Sequence, residues 1–163
     1  MATNRPPAAA PRDPAAPLLA ASALWRLAQL GQEGSRLLEE ALRPENLRWR
    51  DYAVLAVLEE NGSIAQNRIG QLLGVDRSSM VGLIDGLENR GLVSRERSAT
   101  DRRAYAVVLT DEGRRLIGEV LRPLSAQVQD GLLHGLDEHE RALLSTLLGK
   151  AAAAARSQPA ARR

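Results

Sequence analysis

Few residues of this chain are suited to bond-making chemistry. The 163 residues include no cysteine, which excludes disulfides, thiolate zinc sites and a cysteine redox switch. The two histidines, His134 and His139, lack a surrounding cluster of ligand residues. No nucleophile–base arrangement and no glycine-rich phosphate loop occurs in the sequence. These features predict no enzyme, no metal and no cofactor. What the chain does carry is arginine: every basic residue except Lys150 is Arg. A guanidinium forks onto phosphate and guanine better than an ammonium does. Two groups stand out. One is Arg77, Ser78, Ser79 and Val81, and the other is Arg95, Arg97, Arg102 and Arg103. Their chemistry is recognition of a polyanion and of base edges.

The elements that must position these groups follow from residue patterning. A helix is predicted over about 65–73, turned at Gly74-Val75. Asp76 is a good N-cap for a second helix, with Met80, Leu83, Ile84 and Leu87 as its buried stripe and Gly91 at its end. Arg77, Ser78, Val81, Gly82 and Asp85 are left on the open face. Residues 92–97 and 104–109 read as strands, with Tyr105, Val107 and Leu109 alternating onto one face and a basic loop from Ser98 to Arg103 between them. Helix, turn, helix, strand, basic loop, strand is the order of a winged helix-turn-helix. In that fold the second helix enters the major groove and the hairpin follows the backbone. Ser78 can then reach a base edge, Val81 can pack on a thymine methyl, and Gln66 at the start of the first helix joins the predicted DNA-facing set. Asp101 would repel phosphate, so it is read as an internal brace of the loop, paired with Arg103 or a nearby backbone donor.

Net charge is +2, so placement of the arginines says more than their total. GC-rich coding also inflates Arg, Ala, Gly and Pro. Residues 1–17 are Pro/Ala-rich and predicted disordered, and 156–163 are predicted to be a frayed basic tail. Apolar residues recur at helical spacing over 18–42, with Pro44 ending that helix. A further helix opens at Asp51 or a neighbour and stops at Asn61-Gly62. Thr110 caps another, kinked at Pro123, and Asp137 with Glu140 starts the last in a capping-box pattern. The fold class is therefore mainly α with a small β-hairpin wing. No stretch has the apolar length of a membrane span and no secretory signal is evident, so a cytoplasmic location is expected.

Three runs, IGQLLGVDRSSM, LIDGLENRGLVSR and DRRAYAVVLTDEG, occur in this order. With them the chain resembles the MarR family of bacterial transcriptional regulators over about 51–120. The last run is similar to that family's wing signature. The resemblance implies a homodimer with a winged helix-turn-helix at about 51–110, dimerisation helices at about 18–43 and 110–155, and a pseudo-palindromic operator. It places Arg77, Ser78, Ser79 and Val81 on the recognition helix, gives Asp101 and Arg103 the task of holding the wing, and makes Arg102 the wing residue that reaches DNA. Ala65 stands where the family often has a Ser or Thr cap, and Gly82 and Gly86 where it often has larger, basic residues.

The resemblance also implies a small-molecule effector, often an aromatic or acidic one. Trp25, Trp49 and Tyr52, with Arg48, Arg50 and Asp51, are the candidate lining: rings for stacking and guanidiniums for a carboxylate. A core or interface role for each aromatic is the competing reading. The second reading of the whole chain is a dimeric architectural or protein-interaction module using the winged fold without sequence readout.

Overall fold

The structure, a computed structural model, describes residues 22–97 and 105–157. Helix α1 spans Ala23–Leu42, and the Ser22 hydroxyl accepts the Trp25 N–H at its start. A 3-10 turn, Arg43–Glu45, and a left-handed Asn46 reverse the chain into α2, Trp49–Asn61. Trp49 and Arg50 thus lie in the first turn of α2, two residues ahead of the predicted start. Gly62 ends α2 as expected. A two-residue strand β1, Ile64–Ala65, precedes α3, Gln66–Leu73, and α4 spans Arg77–Asn89. Strands β2, Val93–Arg97, and β3, Tyr105–Leu109, form the hairpin. The sheet order is β1-β3-β2, all antiparallel, with Ile64 opposite Val107 and Arg95 opposite Val107 on the other side. Patterning alone does not reveal β1, because two residues are too few to show a period of two.

The last third of the chain is helical. Helix α5, Asp111–Leu116, continues through a wide π turn, Ile117–Leu121, into α6, Arg122–Leu132. Pro123 accounts for that turn: it has no N–H to return to the preceding turn, and its ring crowds the carbonyl four residues back. The Arg122 N–H instead reaches Ile117 O, five residues back. The predicted kink therefore takes the form of a widened turn. Helix α7 runs Glu138–Ser157, so the five-alanine tract is helical and helix persists two residues into the predicted frayed tail. Its start is the predicted capping box: Asp137 accepts from the Glu140 N–H at 2.8 Å and Glu140 returns the contact at 2.9 Å.

One apolar cluster joins these elements. Leu42, Leu55, Leu58, Ile69, Met80, Ile84, Leu87, Val93, Val107 and Leu121 are all buried in it. The stripe Met80, Ile84 and Leu87 buries as expected, with Leu83 half-buried beside it. On β3 the predicted alternation holds only in part. Tyr105 is exposed at the strand's outer end, whereas Ala106 is buried beside Val107 and Leu109. Ala106 lies between its neighbours in the three-stranded sheet, its register partners being Ala65 on β1 and Glu96 on β2.

Candidate nucleic-acid interface

The turn between α3 and α4 is built around Gly74, whose φ of 64° is a conformation other residues resist. Its N–H returns to Gly70 O, so α3 closes there. Ala65 caps α3 without a side-chain hydrogen bond. Asp76 opens α4: one carboxylate oxygen accepts the Ser79 N–H at 3.0 Å and the Ser78 hydroxyl at 2.6 Å. The helix therefore begins sharply, and Arg77, Ser78, Val81, Gly82 and Asp85 all stand exposed on its outer face.

The Asp76 carboxyl is held well below the usual carboxylate range, first by the hydrogen bond from Ser78 and then by those from Ser79. A carboxyl with a depressed folded pKa contributes stability above its unfolded value, about 3.9, and loses it as pH falls through the folded value. The α4 cap is thus expected to stay ionised and intact through about pH 4 and to fail only in stronger acid. A carbon-13 titration of the Asp76 carboxyl reads this directly. An inflection at the ordinary aspartate position would contradict it.

The hairpin is fastened to α4 by Arg95. Its guanidinium meets Asp85 at 2.6 Å, Glu88 at close range and the Gln66 side-chain oxygen at 3.3 Å. The Glu88 carboxylate also accepts the Arg95 backbone N–H at 3.1 Å. This revises Arg95 from a free phosphate contact to an internal brace, because two carboxylates of α4 neutralise its charge. It also draws Gln66 to the junction of α3, α4 and β2. The signal was present in the sequence, since Asp85 and Glu88 are three apart and share a helix flank. Arg97, opposite Tyr105 at the outer end of the hairpin, is exposed. Asp101, Arg102 and Arg103 lie outside the described residues.

At its other end the hairpin is tied to α5 by Thr110. The Thr110 hydroxyl accepts the Gly113 N–H at 3.0 Å and donates to Gly91 O at 2.6 Å, and the Thr110 N–H reaches Leu92 O at 3.1 Å. The end of β3, the end of α4 and the start of α5 are fixed by this one residue.

The candidate effector residues do not converge as expected. In the first turn of α2, Trp49 and Tyr52 share one flank, whereas Arg48 and Asp51 share another. Tyr52 packs against the core. Trp49 lies beside the Arg50 guanidinium, 5.7 Å from its ring centre. Trp25 sits on the exposed first half of α1. Arg48, Arg50 and Asp51 do meet, in adjoining clefts of about 430 and 380 Å³ against the glycine flank of α4. Gly86 lines both clefts, Gly82 lines the smaller with Arg50, and Arg43 and Arg90 line the larger. Arg90 is held by Asn46 O and Glu45 O, both at 2.8 Å. The Asp51 carboxylate accepts the Arg48 N–H at 2.8 Å. Sequence reasoning misses Arg43 and Gly86 as cleft residues, because the fold brings them together from elements about 40 residues apart in the sequence.

The described residues contain no helix long and apolar enough to cross a membrane. Comparison with known proteins places this architecture. The MarR family model matches residues 46–104. A protein of Thauera aromatica, provisionally named a transcriptional regulatory protein for the hcr operon, is 34% identical over 97 residues. That match covers 60% of this chain and 58% of that protein, and the chain spans about three-fifths of the length of the curated relatives it matches. A crystal structure of a MarR-family transcriptional regulator from Rhodococcus sp. RHA1 is similar at 30% identity and a TM-score of 0.70, over 76% of this chain and 87% of that one. The structure of BpsR from Bordetella bronchiseptica, described as regulated in its DNA binding by 6-hydroxynicotinic acid, is similar at 25% identity and a TM-score of 0.68, over 78% and 96%. In sequence motif, sheet order and helical frame, the chain belongs to the MarR family.

Proposed function

We propose that this protein is a transcriptional regulator that binds a pseudo-palindromic operator as a homodimer and releases it when a small acidic or aromatic ligand binds. The observation that carries the reading is the outer face of α4. Arg77, Ser78, Val81 and Gly82 stand clear of the core on a helix capped by Asp76 and braced by Arg95. Such a face, with a basic hairpin beside it, fits a major groove. A mobility-shift experiment with the DNA upstream of the protein's own gene tests it. Retention of that duplex but not of a scrambled one supports the reading. Equal retention of both favours an architectural module instead.

The dimer rests on α1 and α7. Leu24 is 78% exposed, Leu27 45%, Leu143 49% and Leu147 53%, and every residue from Ala23 to Gln29 is exposed. Helix α1 packs along α6 only farther on, near Gly34, where an added methyl would lie 3.3 Å from Leu132. Apolar helix faces of this extent call for a partner, and the family reading makes it a second copy of this chain. Sedimentation at micromolar concentration is expected to show a dimer, and Leu27→Arg with Leu143→Arg is expected to shift it toward monomer. A wild-type monomer would end the proposal.

The ligand reading moves to the clefts of Arg48, Arg50 and Asp51. A carboxylate there meets guanidiniums, and a flat ring can lie over the Gly82–Gly86 flank. Because that flank belongs to α4, an occupant would act directly on the DNA-facing helix. Titration with 6-hydroxynicotinic acid and simple phenolic acids is expected to quench Trp49, to release the operator, and to weaken about tenfold or more in Arg48→Ala. Quenching unchanged in Arg48→Ala and Arg90→Ala would place the site elsewhere.

A further inference from the structure

The DNA-facing side of α4 is poor in donors. Its hydroxyl-bearing residue, Ser78, has one hydroxyl proton, and that proton is given to the Asp76 carboxylate at 2.6 Å. The same carboxylate oxygen holds the Ser79 N–H at 3.0 Å, which fixes it in place as the helix cap. An ionised carboxylate is a stronger acceptor than any base carbonyl or ring nitrogen, so the proton stays where it is. What Ser78 presents outward is a pair of oxygen lone pairs, strengthened by the charged partner behind the O–H bond. Farther along the face, Gly82 has open space where a side chain would be, and the Asp85 carboxylate is taken up by Arg95. On this face of α4, Arg77 is the described residue that carries side-chain N–H donors.

We infer that Ser78 acts as an obligate hydrogen-bond acceptor that reads the exocyclic amino group of an adenine in each operator half-site. The inference rests on the reading of α4 as the DNA-reading helix and specifies what that helix reads. In the major groove guanine offers the acceptors N7 and O6, and thymine offers the acceptor O4. Donors come from adenine N6 and cytosine N4. A Ser78 locked as acceptor meets lone pairs on guanine, on thymine O4 and on phosphate, and pairs with none of them. Val81 decides between the two amino-bearing bases. It lies three residues on, on the same side of the helix, and is 41% exposed. Its methyls suit the thymine methyl, and the A·T pair carries both an amino group and a methyl on one groove edge. Ser78 and Val81 together therefore select A·T. Because Gly82 adds no side chain, the helix backbone can approach the base edges closely enough for a short serine to reach.

The test uses the full chain and an operator obtained by selection from random duplexes. Each adenine of a half-site is replaced in turn by purine, which lacks the 6-amino group alone. At one position per half-site, wild type is expected to lose about three- to tenfold in affinity. Ser78→Ala is expected to lose a similar factor on the unmodified operator and nothing more on the purine duplex. Ser78→Thr, which keeps the hydroxyl, is expected to restore the sensitivity. Asp76→Asn keeps a capping oxygen but weakens the hold on the proton, so its discrimination against guanine at that position is expected to fall. Loss in Ser78→Ala by the same factor on operator and scrambled duplexes would make Ser78 a phosphate contact and overturn the inference. So would a half-site in which replacing no adenine by purine weakens wild type. Tight operator binding unaffected by Ser78→Ala overturns this inference alone, whereas failure of wild type to select any duplex overturns the DNA-reading assignment beneath it.

Discussion

Arg95→Ala is expected to lower operator affinity by about ten- to a hundredfold while the protein stays folded. Arg95 lies on β2 and ties two acidic residues of α4, Asp85 and Glu88, to the hairpin. Removing the guanidinium has two consequences. The carboxylates of Asp85 and Glu88, on the flank of a helix that must approach phosphates, become uncompensated, and like charges brought together on binding are costly. The hairpin also loses its fixed angle to α4, because Gln66, Asp85 and Glu88 no longer share a partner with it. The two effects separate experimentally. Adding Asp85→Asn and Glu88→Gln to Arg95→Ala removes the repulsion but not the loosened hairpin, so it is expected to restore affinity in part. Arg95→Lys is expected to fall between, since an ammonium cannot fork to three acceptors. Titration of each variant on the operator, with circular dichroism to confirm folding, reads the result. Wild-type affinity in Arg95→Ala would show that the brace is dispensable.

Gly113→Ala is expected to be the most damaging single methyl in the winged lobe. A Cβ built on Gly113 would fall well inside van der Waals contact with the Leu92 carbonyl oxygen and would also crowd Leu109 at 3.3 Å. Backbone cannot step aside as a flexible side chain can. Leu92 O is already bonded to the Thr110 N–H, and Thr110 holds both α5 and the end of α4. Relief of the overlap must therefore spread the β3–α5 corner from the end of α4. Overpacking of this kind costs about 1–3 kcal/mol, and at the upper end the melting temperature drops by roughly 6–12 °C for a chain of this size. Gly82→Ala is the control, because the added methyl there meets open space and improves helix propensity by about 0.8–1 kcal/mol. A Gly113→Ala protein as stable as wild type would contradict the close approach.

Much of this was legible in the sequence. The buried stripe of α4, the Asp76 and Thr110 caps, the Asp137–Glu140 capping box and the Gly74 turn are all local features, each written within a few residues. The resemblance supplied their order. What the sequence left obscure depends on side chains from distant elements. Arg95 reads as one more hairpin cation until the fold sets it against Asp85 and Glu88. Trp25, Trp49 and Tyr52 read as a cluster because aromatics are scarce, but helix geometry sends Tyr52 to the core and leaves Trp25 on the open half of α1. The cleft that does form is floored by Gly82 and Gly86, residues whose lack of a side chain marks nothing in a sequence. Pro123 announced a break, but not that the chain would answer with a π turn. The donor state of Ser78 depends on a hydroxyl rotor beside a helix cap, which spacing alone does not specify.

The central claim is that α4 reads sequence while the basic hairpin grips the backbone. Its most direct test is the dissociation constant of the wild-type protein on its selected operator and on a scrambled duplex of equal length, at several salt concentrations. The account predicts operator binding tighter by about a thousandfold or more, with both constants weakening as salt rises. Equal affinity for the two duplexes at every salt concentration would contradict it.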